Sequence, residues 1–214
     1  MADLVVLVPA LGRPHNVKPL LDSVEATCEA RVLFLCDAAD AAEIAAVDAD
    51  PRAHIDICGG NYAYKINRGI TLTSEPLIFT GADDVRFRDG WYEAAKARIA
   101  EGASVVGTQD LCNRRTIRGE HATHFLVTRS YAKGPQLDGA RGLLCELYAH
   151  CCVDDELIAT ASAAGAYAFA EDAIVEHLHP MNGTAPDDEV YRKGIASIRA
   201  DRRLLRERRP LWAG

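Results

Sequence analysis

The chain lacks any apolar run long enough to span a bilayer, and nothing at Met1-Ala2-Asp3-Leu4 reads as a secretory leader. A reducing, cytoplasmic setting with no membrane partner is the expectation. It also lacks a Cys-x-x-Cys pair. Its seven cysteines, at Cys28, Cys36, Cys58, Cys112, Cys145, Cys151 and Cys152, leave an odd one over, which argues against a disulfide framework or a spaced zinc site. His150-Cys151-Cys152 offers zinc-ligand types, but adjacent ligands do not close a tetrahedral shell without strain. Most of the thiols are expected to be small core residues. There is no excess of basic residues either: the net charge is -7, which excludes a surface built for indiscriminate nucleic-acid binding. The one exception is the stretch from Arg192 to Arg209, where eight basic residues face only Asp201 and Glu207. No internal repeat or low-complexity segment is present, so a single domain is expected over the 214 residues.

What the chain does have is a succession of short apolar strands alternating with helical spacings. Leu4 to Val8 is a continuous apolar run suited to a strand covered on both faces, closed by Pro9 and the loop residues Gly12 and Pro14. Asn16 is placed to cap a helix whose Val17, Leu20, Leu21, Val24 and Cys28 share one face. Strands are predicted over Arg31–Cys36, His54–Cys58, Pro76–Thr80, Ser104–Thr108, His124–Thr128 and Ala173–Glu176. Helices are predicted over Ala41–Ala49, Tyr62–Leu72, Trp91–Ala100 with Asp89 as cap, Asp154–Ala164, and from an Asp187 or Asp188 cap to Arg208. The polar stretch Asp110–His124 shows no period and reads as a loop, open to motion. The fold class predicted is α/β, a mostly parallel central sheet flanked by helices with a basic C-terminal helix.

Acids at the ends of strands carry the chemical signal. Pro76 to Thr80 runs through Gly81-Ala82 into Asp83-Asp84, and the Arg31–Cys36 strand ends at Asp37. In a parallel sheet both would face one crevice at the carboxyl edge, where a divalent cation and a phosphate can meet. His177 and His179 flank Leu178 in extended spacing, which puts both rings on one side as a metal ligand plus a phosphate contact. Asp154, Asp155 and Glu156 open a helix as dipole-stabilising acids, one of which could serve as a general base. Arg13, Lys65 and Arg68 together could neutralise a diphosphate.

The ordered set resembles a family 2 glycosyltransferase of the GT-A fold, in a small, bacteriophage-like form. The resemblance covers roughly residues 4 to 180. It is carried by Val5-Val6-Leu7-Val8-Pro9 with Arg13-Pro14, Leu33-Phe34-Leu35-Cys36-Asp37, Lys65-Ile66-Asn67-Arg68-Gly69-Ile70, Ile78 to Val85, Val153-Asp154-Asp155-Glu156-Leu157 and His177-Leu178-His179. It implies a nucleotide-sugar half over 1–110, an acceptor and catalytic half over 111–185, and a C-terminal helix and tail over 186–214. It implies donor binding by Pro9, Ala10, Arg13, Asp37, Lys65, Asn67, Ala82 and Asp83. The Asp-x-Asp motif of the family falls on Gly81-Ala82-Asp83, so its first aspartate is missing and metal binding rests on Asp83 with a late histidine, His177 or His179. The base falls on Asp154 or the adjacent Asp155. The activity implied is inverting transfer from a nucleotide sugar, with UDP as the nucleotide, assisted by Mn2+ or Mg2+. The acceptor could be a hydroxylated base in DNA, a protein or a small glycoside. Two rivals are a nucleotidyltransferase, for which Pro9-Ala10-Leu11-Gly12-Arg13 is a poor phosphate loop, and a degenerate domain that binds a nucleotide or glycan without turnover.

Overall fold

A computed structural model describes residues 2–134 and 142–212. Sixteen regular elements follow one another in those residues. The first half runs β1 (Leu4–Ala10), α1 (Val17–Thr27), β2 (Arg31–Cys36), α2 (Ala41–Asp48), β3 (Ala53–Ile57), α3 (Tyr62–Leu72), β4 (Leu77–Thr80), β5 (Val85–Phe87) and α4 (Trp91–Ala100). The second half runs β6 (Val105–Gln109), α5 (Arg114–Ile117), β7 (Phe125–Thr128), α6 (Arg129–Ala132), α7 (Val153–Ala163), β8 (Tyr167–His177) and α8 (Glu189–Arg208).

The strands form one sheet in the order β3-β2-β1-β4-β7-β6-β8-β5. β3, β2, β1 and β4 are parallel, as the alternation of strands and helices predicts. The other half is mixed: β7 runs antiparallel to both of its neighbours, β4 and β6, and β5 antiparallel to β8. The sheet is therefore less uniformly parallel than expected, because β6 and β7 are joined as an antiparallel pair through 110–124 rather than by a crossover helix.

β1 shows why the sheet is central. Leu4, Val6, Val8 and Ala10 pack into one apolar cluster with α1, α2 and α4, while Val5 and Leu7 enter a second cluster with α3 and α7. Alternation along the strand sends successive side chains to opposite layers, and both layers are covered.

Four expectations are corrected. Asn16 makes no capping bond to α1; its side-chain oxygen accepts instead from Arg86 Nη2 at 2.7 Å. Gly90, in the left-handed region at φ 78°, precedes α4 in place of Asp89. The Ala173–Glu176 strand is the end of the eleven-residue β8, whose first half pairs with β6 before a bulge. Past the bulge β8 stays beside β6, with Ile174 opposite Gln109 and the His177 N–H donating to Asp110 O, while its other edge pairs with β5, His177 opposite Val85. The 110–124 stretch is more structured than a loop: Asp110 accepts from the Cys112 and Asn113 N–H groups and from Thr123 Oγ1, and α5 follows.

α8 crosses the carboxyl edge of the sheet and is tied down along its length. Asp188 caps it through the Tyr191 N–H at 3.0 Å. Midway, Asp201 accepts from the backbone N–H groups of Ala149, His150 and Cys151 at 2.8–3.0 Å and from Ser197 Oγ at 2.9 Å. Near its end, Arg208 Nε and Nη2 donate to the two oxygens of Glu156, which also accepts from Tyr148 Oη. Gly194 permits the close approach in the middle, since a Cβ there would stand 2.7 Å from His150 Cδ2.

Replacing Asp201 by Ala leaves three part-buried backbone N–H donors without their acceptor. The expected loss is about 2–4 kcal/mol, read as a Tm lowered by roughly 4–16 °C. Asp201→Asn, which keeps one acceptor oxygen, loses less.

Candidate functional site

A cavity of about 720 Å³ opens at the carboxyl edge of the sheet. Pro9 and Ala10 from the end of β1, Ala82, Asp83 and Asp84 after β4, and Asn61, Tyr62 and Lys65 from the start of α3 line one side. His121, His124, the 149–155 segment and α8 line the other, with His177 and His179 between them. The halves taken from 1–110 and from 111–185 thus meet across one space.

The acid pair is the most constrained part of this cavity. Asp83 and Asp84 are each only 4 % exposed. Arg13 Nη1 donates to Asp83 Oδ1 at 3.0 Å and to Asp84 Oδ2 at 2.8 Å, while its Nε reaches Asp188 Oδ2 at 2.7 Å. The guanidinium lies 3.9 Å from the centre of the Tyr191 ring, whose hydroxyl donates to the same Asp84 Oδ2 at 2.8 Å. Burial works against the Arg13 charge, but Asp188, Asp83 and Asp84 outweigh it and hold the group protonated.

The two carboxyls differ. Burial first, then the neighbouring Asp84 charge, pushes Asp83 well above the usual carboxylate range. Burial pushes Asp84 the same way, but His177, Arg13 and Tyr191 overcome it and keep Asp84 ionised. The oxygens of Asp83 are occupied by Arg13 and by the Leu11 N–H at 3.2 Å. Asp84 Oδ1 has no hydrogen bond and lies 3.5 Å from His177 Nε2, a distance set by the β5–β8 register and by the Leu178 N–H donating to Asp84 O at 2.8 Å.

Of the two late histidines, His177 therefore faces the acids. His179 turns its Nδ1 to accept the Met181 N–H at 3.1 Å and stacks edge-on against Tyr191. His124 adds a third ring, one that no motif singles out. Its Nδ1 lies 2.9 Å from the carbonyl of Thr80, which can only accept, so Nδ1 carries the proton and Nε2 a buried lone pair without a partner. Burial, then the neighbouring His177, pushes the ring down to about 4, so it is neutral.

Across the cavity, His121 Nε2 lies 3.0 Å from Asp154 Oδ2. Asp155 is drawn aside by Arg115 Nη1 at 2.9 Å. His121 sits in the aperiodic 110–124 stretch and carries no motif, so only its contact across 33 residues reveals it.

Not every residue singled out by the sequence reaches the cavity. Lys65 does, buried, with a single long bond of 3.3 Å from Nζ to Ala10 O. Asn67 does not line it: its amide bonds the carbonyl of Leu144 and Glu146 Oε1, and its oxygen accepts the Leu143 and Leu144 N–H groups, so it pins the 142–146 segment. Asp37 stands at the end of β2 outside the lining and accepts the Ala39 N–H at 3.0 Å. Arg68 is spent on Asp56 of β3. Gly81, where the resemblance puts the missing aspartate, passes so near β1 that a Cβ would stand 3.0 Å from Leu7 O.

Among solved structures, the chain is similar to mannosyltransferase PcManGT from Pyrobaculum calidifontis in complex with GDP-Man and Mn2+, at a TM-score of 0.67 and 13% identity over 86% of this chain. The GT-A fold is what this chain has. Glucosyl-3-phosphoglycerate synthase from Mycobacterium tuberculosis, in complex with Mn2+, UDP-Glc and phosphoglyceric acid, matches the same GT-A architecture at a TM-score of 0.62 and 15% identity over 94% of this chain. TarS of S. aureus matches at 0.58 and 14% over 80%. The chain spans 59% of the mannosyltransferase, 79% of the synthase and 36% of TarS. No protein-family model matches the sequence, and no curated protein does.

Whether this GT-A site suits a divalent cation can be judged from its donors. Asp84 Oδ1 and His177 Nε2 point at one another without a hydrogen bond between them, a carboxylate and an imidazole with capacity to spare. Among the described residues, no group of three or more His, Cys, Asp or Glu side chains is arranged to hold an ion alone. Two protein ligands suit a cation whose remaining positions are filled by phosphate oxygens and water.

Arg13→Ala leaves Asp83, Asp84 and Asp188 facing each other without their shared cation. A loss of about 3–5 kcal/mol at neutral pH is expected. A carboxyl whose folded pKa is raised binds its proton more readily when folded, so the loss should shrink as the pH falls from 7 toward 5. Urea unfolding of both proteins across that range checks the sign.

Proposed function

We propose that this chain is a glycosyltransferase that moves a sugar from a nucleoside-diphosphate donor to a hydroxyl acceptor by a single inverting displacement. The observation that carries the reading is the pairing of an ionised, under-coordinated Asp84 with His177 at the sheet edge, across one cavity from the carboxylate of Asp154. The neighbouring structures that hold Mn2+ with GDP-Man or UDP-Glc support the substrate class.

The donor diphosphate would lie over Ala82 and the acid pair, with its nucleoside toward Pro9 and Ala10 and the buried Lys65 ammonium as a counter-charge. Asp84 and His177 would hold Mn2+ or Mg2+, with Asp83 kept beside them by Arg13. The cation when bound supplies positive charge for the departing diphosphate.

Asp154 accepts the proton of the acceptor hydroxyl as that oxygen forms a bond to the anomeric carbon. The bond from that carbon to the diphosphate oxygen breaks, and its electron pair leaves with the nucleoside diphosphate. Backside attack in one step inverts the anomeric centre.

UDP is the nucleotide the sequence resemblance favours. For the acceptor, the exposed cations of α8, among them Arg199, Arg202 and Arg206, favour a polyanion such as DNA bearing a hydroxylated base. Duplex binding that weakens steeply with salt supports that acceptor, and no binding at low salt removes it.

A thermal-shift series with UDP, GDP and their sugars, with and without Mn2+, tests the donor. A ligand at 100 times its Kd stabilises by about 2.7 kcal/mol. The wild type should show such a shift with nucleotide and Mn2+ together and much less with either alone. Asp84→Asn and His177→Ala should each lose the metal-dependent part. Unchanged metal dependence in both variants would sink the reading.

A further inference from the structure

The α7 acids are not equivalent, and a residue outside every sequence motif makes the difference. His121 is 3 % exposed and sits between the two carboxylates, with Nε2 3.0 Å from Asp154 Oδ2 and Nδ1 3.6 Å from Asp155 Oδ1. An ionised carboxylate only accepts, so Nε2 carries the proton that binds Asp154. Asp154 Oδ1 accepts the Asp155 N–H at 2.9 Å, so the side chain is fixed at both oxygens. Asp155 is held outward by Arg115, a half-exposed side chain.

Resting on the glycosyl-transfer reading, we propose that His121 is a positioning residue that selects Asp154 as the base. The ring grips one oxygen of Asp154 through Nε2 and leaves its remaining lone pairs for the acceptor hydroxyl. It also keeps Asp154 ionised: burial would push that carboxyl up, and the His121 bond overrides it and holds the group below its ordinary value. The reciprocal effect is present on the ring, where burial lowers and Asp154 and Asp155 raise, with Arg115 opposing and the net shift upward. Those three side chains, two on α7 and one on α5, are the charged groups that act on the imidazole.

Two measurements separate this role from simple packing. In His121→Asn the base loses the charge that keeps it ionised, so the acid limb of the kcat profile should move up by about one pH unit or more. The variant should lose up to about tenfold in kcat on the acid limb and progressively less toward neutral pH, with the donor KM unchanged. A uniform loss at every pH, with the limb in place, overturns the proposal.

The second measurement is an NMR titration of the ring carbons of His121, which needs no turnover and is done in variants that keep the ring. The midpoint should fall by about one unit in Asp154→Asn and by less in Asp155→Asn. Equal falls, or none, overturn the selection of Asp154 even in a protein that transfers sugar. An intact coupling in a protein that transfers no sugar to any acceptor overturns the glycosyl-transfer reading instead.

Discussion

Two adjacent carboxylates are buried at the end of β4, and the architecture around them answers the electrostatic problem they pose. Two like charges in contact and out of water do not both ionise unless a cation and hydrogen-bond donors are supplied. Arg13 supplies the cation from the loop after β1, Tyr191 a donor from α8, and the His177 ring of β8 a favourable charge 3.5 Å from Asp84 Oδ1. Three remote segments of chain are therefore fixed relative to the sheet by one pair of side chains. The same arrangement leaves one oxygen, Asp84 Oδ1, without a bond, and this is the atom that faces the cavity histidine.

α8 reads differently in that light. Its charge pattern suggests a solvated helix, and its outward residues are exposed. Its inward face, however, does three jobs: Asp188 and Tyr191 complete the acid cluster, Asp201 gathers the 149–151 backbone, and Arg208 locks Glu156 of α7. The acid cluster and the α7 acids are thereby referred to one element. The glycosyl transfer proposed above, which needs its reacting groups closely aligned, gains from such a common frame.

Much of this was legible in the chain. The parallel strands β1, β2 and β4 announce themselves as apolar runs, and the acids after β4 fall where a crevice forms, whereas Asp37 after β2 stands outside it. The ends of most helices were also readable, Asp188 as the cap of α8 included. Of the two strands that bring His177 to Asp84, β5 was not, and of β8 only the end, Ala173–Glu176, was. β5 has three residues, too few for a period, and the first half of β8 mixes Ala with Tyr and Phe, so its alternation does not stand out. Choosing Asp84 over Asp83 requires the side-chain directions, because both follow the same strand. Asn67 misled because it belongs to a motif, while its amide is satisfied by a segment 76 to 79 residues away. His121 and His124 owe their places entirely to contacts distant in sequence, which no local pattern encodes.

Gly81 carries a consequence for how such a motif degenerates. With the Leu7 carbonyl 3.0 Å from where a first side-chain carbon would stand, and the Gly81 N–H bonded to that same oxygen, β1 and the turn after β4 have closed up. A side chain at Gly81 would ask the Leu7 carbonyl to give by a few tenths of an ångström while it holds the Gly81 N–H. Backbone packing at this turn therefore favours glycine over any residue that carries a Cβ.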